Sequence, residues 1–518
     1  MKIAFVMLGS SVNFIGGRRV AAVAKNIVET TDVYFITISN LRSLSSFINP
    51  NKASTISQTD IDIIAEKLIS YDIVCFSSMT NEVIHAYNIS KRIKELRSEV
   101  FTVLGGVHAT LYPNEAIEHF DSICVGEGEK PIREFLEAFK GKGDYHYTKG
   151  LWLKKDGEII KNRHEALNTN EELNEYQIGC DIFSCQIYDL KKKQFDKFTE
   201  NDYVRFNGLV YNAIWTLGCP YQCSYCSNSG FAQVDKDYLK VRYPKPEIII
   251  KEIEEAISRQ PYISKINLQD DNIIALPYEV IKEFCELYKS RINMPFGIYG
   301  IHPSTIKKEK IELLASYGMI FAKMGIQSGS ENTLKLYKRN TPLETIRNGV
   351  SVLAETQKKH RMVPPLYDVI VDNPLETRED IISSLRFFNS LERPLSLATF
   401  SLRALPGTEL TTYLKEKEID CYESTFIVVR RPSLSNVLFN FISCARIPKW
   451  IFERCLRKVK GYDEDQKKYP TLLYISNFLN LFVRQIGNFR RGDFSVLFGK
   501  WGYYIWRIFY KKKQKPPE

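Results

Sequence analysis

The first 140 residues alternate short apolar runs with segments whose apolar positions recur every three to four residues. The apolar runs are KIAFVML, DVYFITI, YDIVCFSS, VFTVLGG and SICVG, and each has the length and composition of a buried strand. The segments between them have the spacing of amphipathic helices. Five strands separated by helices predict a doubly wound parallel sheet over residues 1–140, with its ligand site at the carboxyl ends of the strands.

Small residues gather where these predicted strands end. They are Gly9 and Ser10 after the first strand, then Ser77, Ser78, Gly105, Gly106, Gly126 and Gly128, and Glu127 lies between the last two glycines. Taken singly, such residues also serve as ordinary turns and helix caps. Because all of these loops open on one edge of one sheet, their composition favours an edge where backbone approaches a large ligand.

A second alternation begins at residue 209, after a weakly periodic stretch. Residues 141–208 contain a predicted hairpin, KKDGEII, and a polar run, so we interpret them as a linker. From residue 209 to 430, six apolar runs alternate with helical patterns: LVYNAIWT, KINLQD, PFGIYG, MIFAKMGIQ, PLYDVIVD and LSLATFSL. This repeat predicts a parallel, partly closed six-fold βα barrel with its chemistry at the carboxyl ends of the strands.

Composition and charge reveal little about residues 1–430, but they set residues 431–518 apart. The 518 residues suffice for two to four units, and 44% hydrophobic and 25% charged residues are ordinary globular values. The eleven cysteines form no regular disulfide pattern, and no secretory leader or membrane-spanning run is recognisable, which predicts a cytoplasmic protein. Residues 431–518 hold 18 Lys and Arg against 6 Asp and Glu, a net charge of +12, so the other 430 residues carry −2 of the chain's net charge of +10.

This C-terminal region, residues 431–518, contains two amphipathic helical patterns. TLLYISNFLNLFVRQI separates Asn477, Asn480 and Arg484 from Leu and Phe, and FSVLFGKWGYYIWRIFYKKKQK mixes aromatic and basic residues. One interpretation is peripheral contact with an anionic membrane, at its inner face. The other is a helical cap that packs its apolar stripe on the barrel. Nucleic acid is not an expected partner, because no RNA-binding module is recognisable.

Three cysteines lie within eight residues, directly after the first strand of the predicted barrel. Cys219, Cys223 and Cys226 stand in the segment LGCPYQCSYCSNSG, and the remaining cysteines are scattered. Structural zinc sites usually take four closed ligands, often as two CxxC pairs. An iron-sulfur cube can be held by three thiolates if one iron is left open for a small molecule. The triplet therefore favours an iron-sulfur cluster over zinc.

With Tyr225 before the last cysteine, this CxxxCxxC segment closely resembles the radical S-adenosylmethionine superfamily. The resemblance implies a 4Fe-4S cluster whose open iron chelates S-adenosylmethionine. A reduced cluster cleaves the sulfonium to methionine and a 5'-deoxyadenosyl radical, which takes hydrogen from unactivated carbon. The resemblance also implies an electron donor such as flavodoxin or ferredoxin.

Four later segments resemble the motifs by which this family binds S-adenosylmethionine. They place Asp270 and Asp271 after the second barrel strand, Gln327 and Ser328 after the fourth, and Arg403 after the sixth. VIVDNPLET resembles the fifth-strand motif, with Asp372-Asn373 in place of a more usual pair that contains glycine. Either aspartate would also serve as a helix N-cap, and Arg403 as a surface residue. His302 is a candidate for substrate or proton chemistry.

The first domain resembles the cobalamin-binding branch of the same superfamily, through YDIVCFSSMT, VLGGVHAT and VGEGEKPI in that order. This branch contains radical methyltransferases and an anaerobic porphyrin ring cyclase, and the resemblance covers residues 1–430. The sequence has no DxHxxG motif and no histidine before His85, so any bound cobalt lacks the axial ligand which that motif supplies. A degenerate domain without cofactor stays an alternative.

The sequence thus predicts a radical S-adenosylmethionine enzyme that methylates an unactivated carbon with the help of cobalamin. A second possibility is a radical enzyme that cyclises, oxidises or couples its substrate without methyl transfer. A third is a non-enzymatic cobalamin sensor with a structural cluster. The expected substrate is a small molecule or a lipid-linked compound.

Overall fold

The computed structural model describes residues 1–9, 12–38, 56–141, 143–260, 262–405, 407–419, 431–462, 464 and 468–489. It divides into two compact units. The first comprises residues 1–208, 230–238 and 242–252, and the second comprises 209–229, 239–241 and 253–518. The predicted tail helix after residue 489, and Ser10 and Ser11 of the first predicted loop, lie outside the described residues.

A nine-stranded sheet forms the centre of the first unit, in the order β7-β6-β5-β4-β3-β1-β2-β8-β9. Its strands are β1 Lys2–Gly9, β2 Thr30–Thr37, β3 Ile73–Ser78, β4 Phe101–Gly105, β5 Ser122–Cys124, β6 Leu151–Lys155, β7 Glu158–Lys161, β8 Gln186–Asp189 and β9 Gln194–Lys197. β1 to β5 are the five predicted strands, and they pair in parallel. The doubly wound parallel sheet is therefore confirmed.

Helices cover this sheet and bury its apolar side chains. They are α1 Ile15–Lys25, α2 Gln58–Leu68, α3 Val83–Leu96, α4 Val107–Leu111, α5 Pro113–Ala116, α6 Glu129–Gly141, α7 Asn170–Tyr176 and α8 Glu200–Asn207. α2, α7 and α8 begin with capping boxes, in which a Ser or Thr hydroxyl and an acidic side chain three residues later bond each other's backbone N–H groups. The core strand β1 is fully buried from Ile3 to Leu8 apart from the slightly accessible Phe5.

Residues 141–208, which the sequence predicts as a linker, also form strands of the first sheet. The hairpin β6–β7 pairs antiparallel with β5, and β8 extends the sheet beside β2 before turning back as β9. This segment therefore supplies both edges of the sheet. The hairpin β6–β7 is the one that KKDGEII predicts, whereas β8 and β9 escape prediction because each is four residues long with polar residues at both ends.

The second unit is built on a six-stranded sheet that follows chain order without interruption. Its strands are β10 Val210–Ala213, β11 Lys265–Leu268, β12 Phe296–Ile301, β13 Met319–Gln327, β14 Leu366–Val371 and β15 Ser396–Ser401. Every neighbouring pair is parallel. All six predicted strands are present, and the predicted partial barrel is confirmed as an open six-stranded array.

The remaining helices, in chain order, are α9 Ser227–Val234, α10 Pro246–Arg259, α11 Tyr278–Arg291, α12 Lys308–Ser316, α13 Glu331–Leu336, α14 Leu343–His360, α15 Arg378–Ser390, α16 Glu409–Glu416, α17 Leu434–Cys444, α18 Lys449–Leu456 and α19 Pro470–Phe489. Those that follow β11 to β15 bury the outer face of the second sheet. Trp215, just after β10, stacks on Phe284 of α11 with ring centroids 4.9 Å apart. Among the described helices, none combines the length and hydropathy that crossing a membrane requires.

The C-terminal helix α19 has inverted polarity. Its packed side is polar, since Ser476 and Asn480 are buried and bond Asn440 and Ser443 of α17. Its outer side is apolar and exposed: Leu472, Tyr474, Ile475, Phe478, Leu479, Phe482, Val483 and Ile486. A cap that packs its apolar stripe inward is therefore the wrong description of this helix, although it remains open for residues 490–518.

Candidate functional site

The loop with the cysteine triplet, Cys219, Cys223 and Cys226, connects β10 to α9 at the carboxyl edge of the second sheet. Hydrogen bonds fix its path. The backbone N–H of Ser224 donates to the Tyr337 carbonyl at 3.0 Å, and its hydroxyl donates to the Leu336 carbonyl at 2.8 Å. The loop is thereby held against the segment that follows α13.

The triplet thiols act on one another electrostatically, and Cys223 is buried while Cys219 and Cys226 are half-buried. Burial raises the pKa of Cys219 to about 11 and that of Cys226 to about 12. Among the described residues, no three Cys, His, Asp or Glu side chains converge on a single-ion position. Three soft sulfur donors on one sheltered loop suit the donor chemistry of an iron-sulfur cluster. Binding it would release the protons that burial retains.

Arg339 is a buried cation beside these thiols that the sequence analysis did not single out. Its Nη1 lies 3.5 Å from both Cys223 Sγ and the Tyr225 hydroxyl. Its Nη2 donates to the carbonyl of Gly325 in β13. The guanidinium thus joins the loop to the fourth barrel strand and places positive charge beside a sulfur. Its only sequence signal is its position at the end of the segment MGIQSGSENTLKLYKR.

Asp270 and Asp271 lie where β11 ends, as predicted, but in different environments. Asp270 is buried, and its Oδ1 accepts hydrogen bonds from the backbone N–H groups of Trp215 and Thr216. Burial raises its pKa to about 6. Asp271 is exposed and acts electrostatically on two of the triplet thiols. These contacts give Asp270 a part in holding β10 to β11, and they place Asp271 beside the triplet.

Gly300 lets this loop approach β12. Its φ is +69°, and a Cβ built on it would lie 1.9 Å from the Asp270 carbonyl oxygen and 2.7 Å from that of Asp271. Both the backbone conformation and the space exclude any side chain. The adjacent His302 stacks on Tyr221 of the cysteine loop, with centroids 3.6 Å apart. Its Nδ1 accepts from the Ser304 N–H, and burial lowers its pKa to about 2, so the ring is neutral.

Gln327 and Ser328 lie at the end of β13, next to a register shift that interrupts its pairing with β14. Gln327 has a φ of +76°, unusual for a residue with a side chain. The Ser328 hydroxyl shares a 2.9 Å hydrogen bond with Ser384 and accepts from the Ser330 N–H. Such irregularities are common beside active sites. Arg403 is half-buried, two residues after β15.

Asp372 belongs to the pair Asp372-Asn373, which stands where the family resemblance leads us to expect a pair that contains glycine. Its φ is +55°, the left-handed conformation that glycine adopts without cost. Its carboxylate accepts hydrogen bonds from Ser401 Oγ at 2.6 Å, Arg431 N at 3.0 Å and Asn436 Nδ2 at 2.8 Å. These hydrogen bonds stabilise the strained backbone of Asp372, which a glycine would adopt without such support.

The predicted cobalamin residues lie together at the carboxyl edge of the first sheet, because β3, β4 and β5 are neighbours. Gly106 and Gly126 have φ of +99° and +101°. A Cβ built on Gly126 would meet nothing within 4 Å, and one on Gly105 would make only ordinary contacts at 3.9 Å. The half-buried Ser77 and the buried Ser78 end β3 beside them. This open edge of small residues fits the approach of a large planar cofactor.

Glu127 differs from its neighbours on this edge. Its carboxylate forms hydrogen bonds of 2.7 and 3.1 Å with Arg242 and accepts from the Asn168 N–H at 2.7 Å. These contacts tie three segments of the first unit together. Its predicted part in cofactor binding stays a prediction, alongside this stabilising one.

Two family models match the chain. The Radical SAM superfamily matches residues 213–388, and the B12 binding domain matches residues 49–136. The first range begins at the end of β10 and contains the cysteine triplet. The second contains Ser77, Ser78 and the glycines of the first sheet's edge through Gly128.

The most similar curated relatives include proteins with different reactions. An uncharacterized methyltransferase of Pyrococcus horikoshii is 25% identical over 66% of this chain and 69% of its own length. The anaerobic magnesium-protoporphyrin IX monomethyl ester cyclase of Rubrivivax gelatinosus is 26% identical over 57% of this chain, and the match spans about half of the cyclase, 51%.

Among solved structures, the radical S-adenosylmethionine methyltransferase TsrM of Kitasatospora setae, with cobalamin and a [4Fe-4S] cluster bound, is similar in fold. The TM-score is 0.57 at 15% sequence identity, and the match covers 80% of this chain and 75% of TsrM.

Proposed function

Because this chain belongs to the cobalamin-binding branch of the radical S-adenosylmethionine enzymes, we propose that it methylates an unactivated carbon of its substrate. The observation that carries the proposal is the presence in one chain of a sheltered three-cysteine loop and an open, small-residue sheet edge. When bound, the cluster, S-adenosylmethionine and cobalamin supply one-electron cleavage and a methyl carrier.

The chain's own residues bind and orient these groups. The cysteine triplet would hold the cluster, with Arg339 offsetting its negative charge. Tyr225, Asp271 and Gln327 are proposed to contact S-adenosylmethionine because they lie on the cysteine loop and at the ends of β11 and β13. Asp270, Ser328 and Arg403 complete the proposed set. The contacts described for Asp270 and Ser328 support a positioning role, through the backbone that they hold.

A second candidate is a radical cyclase, oxidase or coupling enzyme that transfers no methyl group. The match to the magnesium-protoporphyrin cyclase favours it, because that relative aligns with 57% of this chain and is named a cyclase rather than a methyltransferase. A non-enzymatic cobalamin sensor is not supported, since the chain belongs to an enzyme family.

Formation of S-adenosylhomocysteine separates the two candidates without knowledge of the substrate. Anaerobically reconstituted protein, loaded with hydroxocobalamin and reduced, would be incubated with S-adenosylmethionine whose methyl group is deuterated. A methyltransferase should release S-adenosylhomocysteine in proportion to its bound cobalamin. Protein that retains cobalamin and makes 5'-deoxyadenosine, but no S-adenosylhomocysteine, would contradict methyl transfer and favour the second candidate.

A glycine variant tests the cobalamin edge itself. Gly105→Leu should lose cobalamin, because the new side chain fills space at the carboxyl end of β4, whereas Gly141→Leu, at an open helix end, should retain it. Absorbance of the purified protein measures the bound cofactor, and circular dichroism checks that both variants fold. Failure of the wild type to bind cobalamin would overturn the cobalamin part of the proposal.

We also propose peripheral contact with an anionic membrane, which would suit a lipid-linked substrate. Support comes from α19, whose exposed side carries eight large apolar residues and no charge. The following residues 490–518 add eight Lys and Arg against two acidic residues. Each such cation near an anionic surface contributes about 1 kcal/mol, and buried aromatic area adds to it.

Co-sedimentation with phosphatidylserine liposomes tests this contact. The full chain should pellet at low salt, and both high salt and removal of residues 494–518 should weaken pelleting. The pair Phe478→Asp and Phe482→Asp should weaken it further, whereas Ile84→Asp, at an equally exposed apolar site on α3, should not. A full chain that stays in the supernatant at low salt would refute membrane contact. The electron donor, of flavodoxin or ferredoxin type, remains a proposal that follows from the family.

A further inference from the structure

The inner face of the six-stranded sheet carries charged residues in the middle of otherwise apolar strands. Along β13, Phe321, Lys323, Gly325 and Gln327 are half-buried, whereas Ala322, Met324 and Ile326 are fully buried. The buried set lies under the helices, since Met324 Sδ would be 3.7 Å from a Cβ on Gly349 of α14. The half-buried set therefore faces the inside of the open barrel.

Lys323 and Asp368 form an ion pair on this inner face. Lys323 Nζ lies 3.0 Å from Asp368 Oδ2, and the two side chains remain 23% and 19% exposed. The ammonium also lies over the rings of Tyr299 and Phe400, 5.9 and 5.5 Å from their centroids. Asp368 Oδ1 is buried without a hydrogen-bond partner among the described residues. The pair is thus partly accessible and is flanked by aromatic rings.

Arg484 of α19 adds a second cation to the pair. Among the residues that the structure describes, none forms a hydrogen bond or an ion pair with its guanidinium. Burial lowers its pKa, and Tyr299 and Asp368 act on it in the opposite direction. A guanidinium has five N–H donors, and those of this half-buried side chain are available to a ligand. With Lys323 and Asp368 it leaves one unit of positive charge uncompensated.

We propose that Lys323, Asp368 and Arg484, here called the inner charge cluster, form a binding site for an anionic group of the substrate, a carboxylate or a phosphate. The unmatched guanidinium donors fit the oxygen atoms of such a group in a bidentate manner. Tyr299, Phe321 and Phe400 supply apolar contact for the atoms next to the anion. The site rests on the proposed function, because it specifies which substrates the enzyme would accept.

The position of the inner charge cluster also limits the length of the substrate. Gly325, whose carbonyl accepts from Arg339, is two residues beyond Lys323 along β13, and Gln327 is four residues beyond it. At about 3.3 Å per residue these steps amount to about 7 and 13 Å. A substrate anchored at the inner charge cluster would therefore present its reacting carbon about 7–13 Å from its anionic group.

Ligand-observed NMR on the full chain tests the site with three probes that share one ring: phenylacetate, phenyl phosphate and benzylamine. The two anions should bind and the cation should not. Arg484→Gln should weaken anion binding at least about tenfold, the loss expected for charge-assisted hydrogen bonds. Arg386→Gln, which removes an exposed arginine from a surface ion pair on α15, should leave it unchanged.

The variant Asp368→Asn distinguishes anion binding by the inner charge cluster from a purely structural role of the same residues. Removing the negative charge should tighten anion binding several-fold, because the two cations are then opposed by no carboxylate. Preference for phenylacetate over phenyl phosphate would identify a carboxylate substrate, and the reverse a phosphate. Benzylamine binding more tightly than both anions, or anion affinity that neither variant changes, would overturn the proposal. Since this assay needs no cofactor, its failure is distinct from failure to form S-adenosylhomocysteine.

Discussion

Replacing Arg339 should shift the reduction potential of the cluster at the cysteine triplet. The guanidinium Nη1 lies 3.5 Å from Cys223 Sγ and is buried with it. Reduction adds negative charge to the cluster, so a neighbouring cation stabilises the reduced state. Arg339→Gln removes that cation and should make the midpoint potential more negative.

The expected size follows from Coulomb's law. A unit charge about 4 Å away contributes about 4 kcal/mol at an effective dielectric constant of 20. At 59 mV per tenfold change for one electron, or about 1.4 kcal/mol, this corresponds to roughly 170 mV. Because the added electron spreads beyond one sulfur, we expect a shift on the order of 100 mV. Arg339→Lys keeps the charge, and we expect it to recover most of the shift.

Paramagnetic resonance during an anaerobic redox titration measures this potential directly. Iron and sulfide content must first show that each variant still holds its cluster. Arg386→Gln serves as the control, because that arginine is exposed and pairs with Glu453. A cluster in Arg339→Gln whose potential lies within about 20 mV of the wild type, at the 59 mV per decade scale, would refute this role of the cation.

Three further predictions concern the same unit. Alanine at any one position of the cysteine triplet should abolish 5'-deoxyadenosine formation while Cys455→Ala retains it, and activity in the triple variant would contradict the cluster assignment. Gly300→Ala should lower the free energy of unfolding by about 3–5 kcal/mol, because alanine is strained in the left-handed conformation and its Cβ overlaps two carbonyl oxygens. The control Gly461→Ala, where a Cβ makes only ordinary contacts, should lower it by less than about 1 kcal/mol. Equal thermal midpoints for the two variants would contradict this prediction. Asp270 has a folded pKa of about 6 against 3.8, so the folded state binds the extra proton and stability falls as pH rises between these values. Asp270→Asn should therefore gain up to about 3 kcal/mol relative to wild type over that range in denaturant titrations, and a difference independent of pH would contradict it.

The eleven strands that carry the two proposed cofactor sites could be predicted because each is an apolar run between helical patterns. The cysteine triplet was predictable for a similar reason, since its three donors are close in the sequence. Within residues 141–208, the hairpin β6–β7 was predictable from KKDGEII, whereas β8 and β9 were missed because edge strands need only one buried face and are short. Periodicity over four residues does not distinguish them from polar loops.

The inner charge cluster and Arg339 could not be found by spacing alone. Lys323, Asp368 and Arg484 are 45 and 116 residues apart along the chain, and only folding brings them together. A partial signal exists, because a single charge inside an apolar strand pattern, as in MIFAKMGIQ and PLYDVIVD, marks a position that faces polar surroundings. The polarity of α19 was also ambiguous, since its segregated pattern does not say which side is packed.

The first sheet ends on both sides in a short antiparallel hairpin, β6–β7 and β8–β9, although its centre is parallel. Edge strands of this kind, with lysines at Lys155, Lys161, Lys192 and Lys197, discourage another chain from adding a strand by backbone pairing. The tips, at Asp156–Gly157 and around Lys193, take left-handed backbone and face solvent. They are therefore natural attachment points for a fluorophore or an affinity tag, introduced without disturbing the parallel strands that end at the proposed cobalamin edge.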